Sequence, residues 1–74
     1  MSRRMQKREI RRKFNQYLKH CKTADDKLGA LFVFEKNADI SLENGEISLF
    51  TYRNICDIIA ELKLRVRSTL WVRF

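Results

Sequence analysis

The sequence has no proline, only two glycines and only two cysteines among its 74 residues. Disordered chains are rich in proline and glycine, whereas 45% of this chain is hydrophobic, so a folded domain is expected. No apolar run approaches the roughly 18 residues that cross a bilayer, and no signal-peptide pattern is recognised. Cys21 and Cys56 are therefore expected to be free, buried thiols of a cytoplasmic protein.

The length of the chain predicts a single domain over residues 1–74. A domain of this size buries only about 60% of the surface that its unfolded form exposes. Small domains of this kind are often stabilised by a second copy, so a homodimer stays open as a prediction.

Positive charge is concentrated at the two ends of the chain, whose total net charge is +7. Residues 1–22 hold nine Lys and Arg against Glu9 alone, which gives +8. Residues 23–62 carry a net −5, and residues 63–74 carry a net +4. This asymmetry indicates a dedicated electrostatic face rather than charge distributed for solubility.

The basic N-terminal segment, residues 1–22, is predicted to form a helix over residues 5–22, which contain neither glycine nor proline. One arc of this helix, about 100° wide, is apolar and would face the core. It holds Ile10, Phe14, Tyr17, Leu18 and Cys21. The neighbouring arc is basic except for Asn15, and it holds Arg4, Arg8, Arg11, Arg12, Lys19 and Lys22.

The middle of the chain is predicted to form a three-stranded antiparallel meander over residues 30–51. The apolar run "ALFVFEK" has the length of a central strand that is buried on both faces. In "ISLENGEISLF" the pair Asn44-Gly45 favours a two-residue type I′ turn, which needs positive φ at both positions. If Glu43 pairs with Glu46, the apolar side chains on the two strands share one face, which supports the hairpin.

A second helix is predicted over residues 52–67, with Thr51 as its N-cap. Its apolar stripe comprises Tyr52, Ile55, Ile58, Ile59, Leu62 and Val66. The segment after the first helix is predicted to be a loop ending at Gly29, although Thr23 and Asp26 have the spacing of a helix cap. For the basic and aromatic tail, residues 68–74, helix, strand and irregular structure stay open. The expected fold is α+β, in the order α-β-β-β-α, with the helices packed on one face of the meander.

No catalytic or metal-binding residues are predicted. His20 and Cys21 are adjacent on the predicted helix, so their side chains point about 100° apart. Two cysteines and one histidine without close spacing do not make a zinc site. The isolated Gly29 and Gly45 do not form a phosphate-binding loop. The sequence therefore predicts a protein that is not an enzyme and has no cofactor.

The basic arc predicts phosphate binding, because cations that release condensed counterions gain affinity for nucleic acid. The predicted nucleic-acid-binding residues are Arg4, Arg8, Arg11, Arg12, Lys19 and Lys22, with secondary contacts from Arg67, Trp71 and Arg73. The first hypothesis is a small non-enzymatic regulator that binds nucleic acid, with RNA favoured over DNA. The alternative is an adaptor or inhibitor, of the kind that mobile genetic elements encode, whose basic helix docks on an acidic protein surface. A membrane surface is not an expected partner, because the apolar arc would be covered by the sheet.

Overall fold

The computed structural model describes residues 4–72, with the side chains of residues 4–68. This part of the chain forms three helices, α1 (Lys7–Leu18), α2 (Ala24–Glu43) and α3 (Leu49–Val72). None of the described residues belongs to a strand. The predicted α+β fold, with a meander over residues 30–51, is therefore wrong, and the described chain is an all-α three-helix domain.

The first and third helices, α1 and α3, run parallel to each other. The backbone N–H of Met5, just before α1, donates to Oγ1 of Thr51 at 3.1 Å. Further along both helices, Arg11 of α1 bonds to Glu61 of α3. The contacting residue numbers increase in the same direction along both helices, so the two helices are parallel. Helix α2 connects them and runs in the opposite direction.

The second helix, α2, includes the run that was predicted to be a central strand. Leu31 is fully buried, whereas Phe32 and Val33 are 55% and 52% exposed. One-sided burial of this kind follows from helical periodicity, whereas a central strand would be covered on both faces. A short apolar run does not by itself distinguish the two.

The start of α2 is capped by Thr23, so the loop predicted up to Gly29 is also wrong. The Thr23 hydroxyl accepts a hydrogen bond from the backbone N–H of Asp26 at 3.1 Å. Asp25 and Asp26 then occupy the first turn, where negative charge interacts favourably with the helix dipole. The spacing seen in the sequence was that of a true N-cap.

The Asn44-Gly45 pair ends α2 instead of forming a hairpin turn. Gly45 has a φ of 72°, but Asn44 lies in the right-handed region with a φ of −82°, which excludes a type I′ turn. The N–H of Glu46 donates to the carbonyl oxygen of Ser41 at 2.8 Å. The N–H of Gly45 donates to the carbonyl oxygen of Leu42 at 3.1 Å. These two bonds form a Schellman motif, which satisfies carbonyls in the last turn of a helix.

The third helix, α3, begins before the predicted 52–67 helix and continues beyond it. Ser48 acts as the cap in place of Thr51, because its hydroxyl accepts from the N–H of Thr51 at 3.2 Å. Thr51 is itself fully buried against the N-terminal segment. No helix in the described part of the chain combines the length and hydrophobicity needed to cross a membrane.

The core lies where the three helices meet. Its buried apolar residues are Ile10, Leu18, Leu31, Ala38, Ile58, Ile59, Leu62 and Val66. The predicted stripe on the C-terminal helix is thus confirmed in its central part, while Tyr52 and Ile55 are partly buried. On α1, Phe14 is partly buried and stacks on Phe34 with ring centroids 4.6 Å apart, and Tyr17 is 55% exposed. Both cysteines are free, as expected, but only partly buried.

The two glycines give a matched test of the fold. We expect Gly45→Ala to lower the free energy of unfolding by about 1–2 kcal/mol, because an L-residue is strained at positive φ. We expect Gly29→Ala to raise it by roughly 0.5–1 kcal/mol, since this glycine lies within α2 and nothing would meet the added methyl group within 4 Å. Urea unfolding of both variants measures the two changes. A loss of equal size in both would contradict the assignment of residues 24–45.

Candidate functional site

Three of the predicted site cations share one exposed side of α1. Arg8 and Arg12 are one turn apart, and Lys19 follows at the C-terminal end of the helix. With a rise of about 1.5 Å per residue, the two intervals along the axis are about 6 Å and 10 Å. Asn15 lies between them on the same side. We refer to Arg8, Arg12 and Lys19 as the basic face.

The cations of the basic face are available to a ligand. Within the described residues, Arg8, Arg12 and Lys19 take part in no ion pair. Lys22, in the loop after α1, is likewise exposed and unpaired among those residues. The structure thus brings four of the six predicted nucleic-acid-binding residues to one region. Their binding of nucleic acid stays a prediction.

Arg11 has a different environment, because it joins α1 to α3. Its Nε and Nη2 atoms donate to the two carboxylate oxygens of Glu61, at 2.7 Å and 3.1 Å. Lys7, one turn earlier, contacts Asp57 at 3.1 Å. The hydrogen bond to Glu61 raises the pKa of Arg11, and the same bond lowers the pKa of the Glu61 carboxyl group. Two of the five N–H donors of Arg11 are therefore used to hold α1 on α3.

Arg4 and Arg67 lie away from the basic face. Arg4 precedes α1, with its guanidinium carbon 5.2 Å from the centroid of the Phe50 ring. Arg67 is exposed, but it follows Glu61 by six positions and so lies about 120° around α3 from the side that contacts α1. Arg73 and the side chain of Trp71 lie outside the described residues.

A groove of about 780 Å³ adjoins the basic face at the C-terminal end of α1. The start of α2 and the second half of α3 form its other sides. Leu18, Leu62 and Val66 supply an apolar floor. Cations also line it, from all three helices and the first loop: Lys19, Lys22, Lys27 and Arg65. We refer to this feature as the apolar groove.

The apolar groove is continuous with the basic face. A shallower depression of about 340 Å³ lies along α1 and is lined in part by Arg8 and Arg12. Asn15 and Lys19 line both features. The sequence did not predict the groove, because Lys27 and Arg65 join it only through the packing of α2 and α3. The only residue of the groove that stood out in the sequence was Asn15, which is the single uncharged residue in the basic arc.

Among the described residues, no group of three or more His, Cys, Asp or Glu side chains is arranged to hold a metal ion. No family model, curated protein or solved structure matches the chain. The function is therefore argued from these residues and their geometry.

The Arg11–Glu61 contact predicts a pH-dependent contribution to stability. A folded-state pKa below the ordinary glutamate value of 4.5 means that the contribution is present above that pH. It is lost as the pH falls through the lower folded-state value. We expect Glu61→Gln to melt at a lower temperature than the wild type at pH 7, and the difference to shrink towards pH 3.

Glu43→Gln is the control for this measurement, because Glu43 is exposed at the C-terminal end of α2. A negative charge there interacts unfavourably with the helix dipole, so no loss is expected at pH 7. A Glu61→Gln deficit that was the same at both pH values would show that the ion pair is not its source.

Proposed function

We propose that this chain is a small, non-enzymatic nucleic-acid-binding regulator, and that its basic face contacts phosphates. The observation that carries the proposal is the separation of cations on α1. Lys7 and Arg11 are paired with carboxylates of α3, whereas Arg8, Arg12 and Lys19 project outward without ion pairs among the described residues. Unpaired cations can release counterions from a phosphate backbone, and paired ones contribute much less.

The composition of the basic face supports nucleic acid, with RNA favoured over DNA. Two of its three cations are arginines, whose planar fork forms bidentate contacts with phosphate and stacks on bases. RNA offers unstacked bases in loops and ends, to which arginine planes are suited. The proposal includes a cytoplasmic location, since the unpaired thiols of Cys21 and Cys56 suit a reducing compartment.

An acidic protein partner is the second candidate, and two ion pairs within the domain favour it. Lys7 and Arg11, four positions apart on α1, bind Asp57 and Glu61, four positions apart on α3. The same spacing recurs in Arg8 and Arg12 on the outer side. An acidic helix of a partner would dock there by the pairing that α3 already shows.

The test is a comparison of two triple variants with equal net charge. Arg8, Arg12 and Lys19 are changed to Gln in one variant, and Lys13, Lys36 and Arg53, which are exposed elsewhere, are changed to Gln in the other. Binding of a fluorescein-labelled RNA is followed by anisotropy over a range of KCl concentrations. Each phosphate contact contributes a slope of about −0.7 to −0.9 in log affinity against log salt.

We expect the basic-face variant to bind more weakly and to lose about two to three units of salt slope. The control variant should keep most of the wild-type slope. Equal losses in the two variants would mean that overall charge, and not the basic face, attracts the RNA. Failure of the wild type to bind RNA or DNA, with binding of an acidic protein surface, would favour the second candidate.

A further inference from the structure

The apolar groove is a feature that phosphate contacts alone leave unused. Cations suffice to hold a nucleic-acid backbone, and they need no cavity beside them. Here a groove of about 780 Å³ opens at the end of the row of cations. Its floor is made by Leu18, Leu62 and Val66, so a group with apolar faces can displace water from it.

The walls of the groove carry hydrogen-bonding groups that match the edge of a nucleobase. Asn15 presents a side-chain amide, which both donates and accepts, and this amide makes no hydrogen bond with other described residues. Asp25 presents a carboxylate that can accept from an exocyclic amine. Amide and carboxylate side chains are the groups that proteins use to contact adenine and cytosine.

The groove lies next to the basic face, where the phosphates of a bound strand are proposed to lie. Asn15 and Lys19 border both the groove and the depression along Arg8 and Arg12. A strand whose phosphates follow the basic face therefore reaches the groove within one or two nucleotides of Lys19. In a continuous duplex the bases are paired and stacked, and they cannot enter a lateral groove without being extruded.

We propose that the apolar groove receives an unpaired nucleobase, so that the preferred ligand is single-stranded nucleic acid or an unpaired loop. This inference rests on the proposed function. The basic face holds the backbone of the strand, and Asn15 and Asp25 face the edge of the inserted base. Lys27 and Arg65 also line the groove, and Arg65 lies 3.8 Å from Glu61. In this arrangement the following phosphate would leave the groove beside Lys27.

The experiment compares a labelled oligocytidine of about 12 nucleotides, whose bases carry the exocyclic amine that Asp25 can accept from, with an RNA duplex of the same length, by fluorescence anisotropy at one salt concentration. Ala24→Leu fills the groove, because Ala24 lines it at the start of α2. Ala60→Leu is the matched control, since Ala60 is exposed on α3 and does not line the groove. Asn15→Ala, which favours a helix, tests the wall independently if the larger side chain disturbs folding.

We expect the wild type to bind the single strand more tightly than the duplex. Ala24→Leu and Asn15→Ala should each weaken single-strand binding by about tenfold, on the scale of one base contact. Duplex binding should be unchanged in both variants, and Ala60→Leu should resemble the wild type on both ligands.

Two results would overturn the inference, and they are distinguishable. In the first, the duplex binds as tightly as the single strand or more tightly, and neither Ala24→Leu nor Asn15→Ala affects single-strand binding. The proposed function would then stand, and the groove would not be a base-binding site. Binding of neither nucleic acid, with binding of a labelled peptide that alternates glutamate and leucine, would overturn both and assign the groove to an acidic protein segment.

Discussion

Burial of one side of α3 is the interaction on which the rest of the structure depends. Ile58, Ile59 and Leu62 are no more than 3% exposed, and both other helices cover them. Each fully buried side chain of this type contributes about 1.5–3 kcal/mol, whereas a domain of this size retains only about 4–11 kcal/mol in total. Helix α1 must therefore keep Ile10 and Leu18 inward, and this requirement alone turns the opposite side of α1 towards solvent.

Polar contacts then set how α1 lies on α3. Buried Thr51 accepts from the N–H of Met5, and buried Asn54 donates to the Met5 carbonyl oxygen at 3.0 Å, so the segment entering α1 is held at both of its backbone groups. The ion pairs of Lys7 and Arg11 follow along the same edge. Cations that are equivalent in the sequence thus acquire two roles: those at the edge hold the helices together, and those beyond it make no ion pair with the described residues.

The sequence predicted α1 well and the middle of the chain badly, for identifiable reasons. In α1 the apolar and basic residues both recur with the helical period of about 3.6 residues per turn, so each set forms one arc. In α2 the apolar residues surround the helix, so Phe32, Val33 and Ile40 are exposed, and the pattern loses its period. The Asn44-Gly45 pair correctly indicated positive φ at Gly45, but a Schellman motif uses that φ as well as a hairpin does. The groove was beyond prediction, since only tertiary packing brings Lys27 and Arg65 to the same groove as Lys19.

The same packing explains why charge that is spread along the sequence acts at one place. Asp57 and Glu61 lie against Lys7 and Arg11, and therefore cancel positive charge along the α1–α3 edge. At the C-terminal end of α1 the groove is lined by Lys19, Lys22, Lys27 and Arg65, together with the carboxylate of Asp25, and Arg65 also lies 3.8 Å from Glu61. Charges in solution act over a Debye length of about 8–10 Å, so the cations around the groove reinforce one another. An anionic strand attracted by these cations would meet the apolar floor beside them, so that electrostatic attraction and shape act at the same site.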